Sequence, residues 1–153
     1  VANTVYDEST FGKGSHLVKT MSETNKTIIA SFNADIMRHV NSSATHIEIF
    51  FQGKEMSFSK DNLPIKLGRD KTGCDIVIDS NVVSRVHCVI EVRDSQIGLV
   101  DMSTYGTFIH IGRNETFLIK STFYPLIGQG NIKLGEEIDR NEKNMIYFRM
   151  VSK

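Results

Sequence analysis

Residues 65–92 read IKLGRDKTGCDIVIDSNVVSRVHCVIEV, and this stretch decides the fold. Its apolar residues gather in three short runs, Ile65–Leu67, Cys74–Ile78 and His87–Val92, separated by clusters of Gly, Asp, Ser and Asn. Runs of that length, rich in β-branched residues and bounded by turn formers, read as strands.

The same texture continues in both directions. Upstream, Ile47, Ile49 and Phe51 alternate with His46, Glu48 and Phe50; Gln52-Gly53-Lys54 then forms a turn, and Met56–Ser59 follows as a strand. Downstream come Gly98–Val100, Thr107–Ile111, Phe117–Ile119, Ile132–Leu134 and Met145–Val151. Turn clusters lie between them at Asp61-Asn62, Gly68 to Gly73, Asp94-Ser95, Gly112 to Asn114, Gly128 to Gly130 and Asn141 to Asn144. Short strands at close spacing, with no helical periods between them, predict an all-β antiparallel sandwich over residues 46–153.

Residues 1–45 differ and form an N-terminal extension. Val1 to Ser22 is polar and without a sustained period, which predicts a partly flexible arm. Ile28, Ile29, Phe32, Ile36, Met37 and Val40 then recur at steps of three and four, one apolar face of an amphipathic helix, with Ser22 or Thr24 available near its start.

Composition excludes several classes of function. The chain has 153 residues, 40% hydrophobic and 24% charged, enough for one core. Eighteen Lys and Arg balance eighteen Asp and Glu, so the basic excess of a nucleic-acid binder is missing, although a local basic pocket is compatible with zero net charge. No segment reaches the ~20 apolar residues of a membrane span, and no signal peptide is visible. The expected setting is intracellular, cytoplasmic or nuclear, with no membrane and no nucleic-acid partner. The first residue is Val rather than Met, which points to a piece of a longer protein.

Catalytic and metal chemistry find no support. Cys74 and Cys88 are too few for a disulfide scaffold or a zinc site, and both read as small buried residues. His16, His39, His46, His87 and His110 are scattered without metal-ligand spacing. No H-E-x-x-H, G-x-S-x-G or Gly-rich Walker loop occurs. The expectation is no catalytic residue, no metal, no cofactor and no small-molecule substrate.

Three segments between strands do carry chemistry: Leu67-Gly68-Arg69, Val83-Ser84-Arg85-Val86-His87 and Asp101-Met102-Ser103-Thr104-Tyr105-Gly106-Thr107. They offer guanidinium forks from Arg69 and Arg85, hydroxyls from Ser84 and Thr104, and turn amides, all suited to a phosphate. Each segment alone is an ordinary turn or a solvated charge; their joint order and spacing carry the signal.

In that order and spacing, the run from Ile65 to Leu134 resembles the forkhead-associated (FHA) domain family. It is similar in Gly-Arg, then Ser-Arg-x-His about fifteen residues later, then Asp-x-Ser-Thr-x-Gly-Thr, with Gly130–Glu136 resembling the late strand and turn. The resemblance spans roughly His46 to Ser152 and implies an eleven-stranded sandwich that binds a phosphothreonine-containing protein through loops at one edge. It implies that Arg69 and Ser84 hold the phosphate, that the Thr104 hydroxyl touches it, and that Arg85 faces phosphate or peptide backbone. Gly68 (a tight turn), His87 (an imidazole tying the loops) and Gly106 (a backbone conformation disfavoured by a Cβ) are implied as structural support.

Tyr105 stands where the family carries Asn, whose amide hydrogen-bonds the bound peptide's main chain. A phenol has no such donor and acceptor pair. Two outcomes are open: a weakened peptide contact, with a phosphate-independent interaction domain at its extreme, or a ring that packs on the ligand.

Overall fold

The computed structural model describes residues 17–21, 44–112, 115–138 and 142–153. Twelve strands run in chain order: β1 Leu17–Met21, β2 His46–Phe51, β3 Lys54–Ser59, β4 Ile65–Gly68, β5 Ile76–Val77, β6 Cys88–Arg93, β7 Gln96–Asp101, β8 Thr107–Ile111, β9 Glu115–Ile119, β10 Phe123–Pro125, β11 Gln129–Leu134 and β12 Ile146–Val151. They form a seven-stranded sheet, β1-β9-β8-β11-β12-β2-β3, and a five-stranded sheet, β10-β7-β6-β4-β5. Strands β2 to β12 are the eleven of the expected sandwich. Their pairings are antiparallel except for β4 with β5, which run parallel over two residue pairs.

Local chemistry explains the tight connections. Gln52 and Gly53 both have positive φ, 49° and 80°, the twist that suits a two-residue hairpin between β2 and β3. Asp94 and Ser95, at 51° and 68°, do the same between β6 and β7 without a glycine. Asp is among the residues that tolerate the left-handed region.

Two strands depart from the sequence reading. Strand β10 was not anticipated: it is three residues long and ends in Pro125, which an edge strand tolerates because one side needs no ladder donor. It lies on Gly98 of β7, where a Cβ would run into the Phe123 ring. Strand β1 falls inside the segment read as a flexible arm and pairs in parallel with β9, Leu17 opposite Glu115 through Met21 opposite Ile119. The helix expected over residues 28–40 lies outside the described residues.

The core lies between the sheets. Ile47 and Ile49 of β2, Ile146 and Phe148 of β12, Ile132 of β11 and Ile109 of β8 join Leu67, Cys88, Ile90, Ile97 and Leu99 of the smaller sheet in one cluster. Period-two alternation places Phe148 inside and its neighbour Tyr147 on the outer face, opposite Phe50. Glu48, although on that outer face, is covered by Arg149, whose Nε donates to it at 2.9 Å. No helix among the described residues is long and apolar enough to cross a membrane.

The register of β12 has a direct test. Phe148→Ala should destabilise by about 3–5 kcal/mol, because it opens a core cavity. Tyr147→Ala, one residue away and half exposed, should cost about 1 kcal/mol or less. Equal losses in urea denaturation would mean the register is wrong.

Candidate functional site

Three loops gather at one end of the sandwich: residues 69–75 after β4, 78–87 before β6, and 102–106 between β7 and β8. The β4–β6 pairing continues past the formal strands and fixes the first two loops. His87 N donates to Leu67 O at 2.8 Å, Arg69 N to Ser84 O at 3.0 Å, and Asp70 N to Arg85 O at 3.1 Å. Gly68 lies in the middle of this ladder. Its φ is not in the left-handed region, so the expected tight turn is not its role. A Cβ there would run into the Arg85 carbonyl oxygen, and glycine permits the close approach of two backbones.

His87 is fully buried and ties the second loop to the third. Its Nδ1 accepts from Ser84 N–H at 3.0 Å, and its Nε2 stands 2.8 Å from the Gly106 carbonyl. A carbonyl only accepts and an amide N–H only donates, so the proton sits on Nε2 and the ring is neutral. Burial pushes this imidazole below its ordinary value, against the Gly106 carbonyl and the Asp101 carboxylate 3.9 Å away, which both pull it up. The Gly106 carbonyl also accepts from Gly135 N at 2.9 Å, bringing in the turn after β11. Gly106 has φ +90°, a conformation that L side chains rarely adopt.

Beneath the third loop lies the buried carboxylate of Asp101. It accepts from Ser103 Oγ at 2.6 Å, Thr107 Oγ1 at 2.8 Å, Ser121 N at 2.9 Å and Ser103 N at 3.3 Å. Ser103 Oγ in turn accepts from Gly106 N at 2.7 Å. The sequence motif alone assigns Asp101 and Ser103 no role. Only the local bond had a signal, since an Asp bonding the backbone two residues on is an Asx-turn; the bonds to Thr107 and Ser121 had none.

The solvent side of this frame holds the polar groups. Arg69 is exposed, and its Nε donates to Val83 O at 3.0 Å, which orients the guanidinium along the second loop. Ser84 Oγ accepts from Thr104 N at 3.2 Å, so its own proton can be donated to an anion. Arg69, Ser84 and Thr104 are therefore joined by direct hydrogen bonds. Arg85 is 77% exposed and stands 3.6 Å from the Asp70 carboxylate. Hydrogen bonds from Thr72 hold that carboxyl below its usual range, with a smaller contribution from Arg85. Thr104 and Tyr105 are both exposed at the third loop.

The cysteines divide. Cys88 is fully buried in the core, as expected, but Cys74 is only partly buried and donates its Sγ–H to Arg85 O at 3.1 Å. Burial raises both thiols above their ordinary value, which makes them poor nucleophiles. Among the described residues no group of His, Cys, Asp and Glu could hold a metal ion.

Comparison with known proteins agrees with this architecture. Residues 65–135 match the family model of the FHA domain. The FHA domain of an Arabidopsis thaliana hypothetical protein superposes with a TM-score of 0.57 at 23% identity, over 72% of this chain and 90% of that one. The N-terminal FHA domain of S. cerevisiae Rad53p, solved with a phosphothreonine peptide, gives 0.53 at 17% identity over 71% and 94%. The MEK1 FHA domain, solved with a HOP1 phosphothreonine peptide, gives 0.52 at 21% over 68% and 95%. No curated protein matches the chain.

His87 has two readouts. Its removal leaves Ser84 N–H unpaired and takes one of two donors from the Gly106 carbonyl, so His87→Ala should cost about 1–3 kcal/mol of stability. The folded state lowers the imidazole below its ordinary 6.5 and therefore favours the neutral ring. The stability this confers is complete above about pH 6.5 and is lost as pH falls below it, at up to about 1.4 kcal/mol per pH unit. Denaturation curves from pH 7.5 to 5 should show this component in the wild type and not in His87→Ala. Parallel profiles would show that the ring is not held neutral.

Proposed function

Because residues 65–135 are an FHA domain, we propose that the chain is a phosphothreonine-dependent protein-binding module. The observation that carries this reading is the hydrogen-bonded run of Arg69, Ser84 and Thr104 on a rigid loop surface. Phosphothreonine carries a charge near −2 at neutral pH and three acceptor oxygens. In this reading the Arg69 guanidinium and the Ser84 hydroxyl take those oxygens, and the Thr104 hydroxyl touches the same group. Arg85 exchanges Asp70 for phosphate or peptide backbone, and Tyr105 meets the peptide beyond it. Gly68, His87 and Gly106 hold the loops in place and do not touch the ligand.

The module is non-catalytic in this reading, a signalling or regulatory part of a longer protein inside the cell. Support for the phosphothreonine ligand comes from the Rad53p and MEK1 domains, which share the fold and were solved with phosphothreonine peptides. The exposed Tyr105 favours one second reading, a domain that binds protein without phosphate. A degenerate phosphothreonine peptide library, probed beside its unphosphorylated copy, separates the two.

Arg69→Ala should weaken binding to a phosphothreonine peptide by about ten- to a hundred-fold, the loss of one charge-assisted contact, with the melting temperature nearly unchanged. Binding should also fall as pH drops below about 6, where phosphate takes up its second proton. Calorimetric titrations in which Arg69→Ala matches the wild type would remove Arg69 from the site.

A further inference from the structure

Lys133 is fully buried, although its neighbours Ile132 and Leu134 fill the core and the alternation of β11 turns it to the other face of the sheet. It stands opposite Phe108 of β8. Its ammonium makes no hydrogen bond among the described residues and lies 3.6 Å from the Glu136 carboxylate, three residues on. Glu136 itself reaches solvent, with its side chain 24% exposed. We propose that Lys133 is a positioning residue for the phosphothreonine site: its buried charge draws Glu136 back and so fixes the turn after β11, on which two of the three loops rest. This rests on the phosphothreonine reading of the loops and goes beyond it, because a buried Lys133 touches no ligand.

The turn joins both loops directly. Gly135 N donates to the Gly106 carbonyl at 2.9 Å, sharing that oxygen with the His87 ring. Gly106 N is bound in turn to Ser103 Oγ, so the contact fixes the stretch that carries Thr104. Gly135 also lies so close to the Val82 carbonyl that a Cβ would run into it. Val82 is followed by Val83, whose carbonyl holds Arg69 Nε, and then by Ser84. Gly135 has φ +82°, a conformation natural to glycine, and the next side chain comes back within reach of Lys133.

Energetics separate this role from plain stabilisation. Burying an ammonium is costly, and attraction to one partly exposed carboxylate without a hydrogen bond offsets little of that cost. An apolar side chain of similar volume would lose no hydration in the same place. What the charge adds is direction: it pulls a carboxylate three residues along to one position, and apolar packing alone does not choose where that carboxylate goes.

The test is Lys133→Met, which keeps an unbranched chain in the site and leaves Glu136 free to be hydrated at the surface. Its melting temperature should equal or exceed that of the wild type. Its affinity for a phosphothreonine peptide should nonetheless fall by about three- to ten-fold, the scale of one neutral hydrogen bond. Hydrogen exchange at the Gly135 amide should quicken by a similar factor, while amides in the middle of β6 keep their rates. Adding Glu136→Gln to Lys133→Met should cost no further affinity, because the two groups act as a pair. Unchanged affinity, or unchanged exchange at Gly135, would overturn the proposal. A melting temperature well below the wild type would overturn it too, since Lys133 would then be supporting the sheet as a whole. If the wild type binds phosphorylated and unphosphorylated peptides alike, the phosphothreonine reading fails, and exchange at Gly135 still decides whether Lys133 holds the turn.

Discussion

A neutral imidazole sealed within the loop end of the sandwich joins parts of the chain that no strand pairing connects. His87 precedes β6 in the five-stranded sheet, and Gly106 leads into β8 of the seven-stranded one. The ring's two nitrogens lie on opposite edges of a rigid plane, one accepting from Ser84 N–H and the other donating to the Gly106 carbonyl. The main chain of the same residue adds a bond to Leu67 O and another from Met102 N. One residue therefore sets the relative positions of all three loops. A charged ring would turn Nδ1 into a donor facing another donor, so the arrangement needs the imidazole neutral. Its burial supplies that condition.

Around this pin, the loops approach one another more closely than side chains would allow. Gly68 leaves room for the Arg85 carbonyl, and Gly135 for that of Val82. The two contacts press the 80–87 loop between β4 and the turn after β11. Asp101 braces the third loop from below through four hydrogen bonds to Ser103, Thr107 and Ser121. The buried side chains of His87 and Asp101 are thus satisfied internally, and Arg69, Arg85 and Thr104 are left facing solvent. Such a surface is organised before any ligand arrives, so binding energy is not diverted into ordering it.

How much of this could be read from the sequence varied with the kind of signal. The sandwich was legible because strands such as β2, β6 and β12 bury enough β-branched and aromatic residues to leave a clear pattern. Strand β10 was not, because three residues ending in proline carry no period, and its place depends on a glycine in β7. Among the described residues strand β1 pairs only with β9, and a five-residue strand at a sheet edge leaves little pattern in a polar segment. At the three loops, Arg, Ser and His at fixed spacing stand out in the sequence, and the structure brings them to one end of the sandwich. The reason for Gly68 does not stand out, since a close approach of two backbones is a property of the tertiary fold. The bracing role of Asp101 was equally hidden, because its partners at Thr107 and Ser121 come together only when β7, β8 and the β9–β10 connection are in place.

Zero net charge does not prevent such a surface from attracting a dianion. What matters is how the two arginines at the site are engaged. Arg69 is held through Nε by a neutral carbonyl, so none of its charge is cancelled locally. Arg85 faces Asp70 at 3.6 Å while remaining 77% exposed, and exposed pairs of this kind contribute only about 0–1 kcal/mol. Asp70 has its own support from Thr72, so its carboxylate loses little if Arg85 turns away. The first arginine thus keeps its positive charge on the second loop, one residue before Ser84, and the second is released at small cost. Hydrogen bonds between charged partners are roughly twice as strong as neutral ones. An arginine exchanging one weak carboxylate contact for a phosphate would gain more than it gives up, so zero net charge is compatible with the proposed anion site.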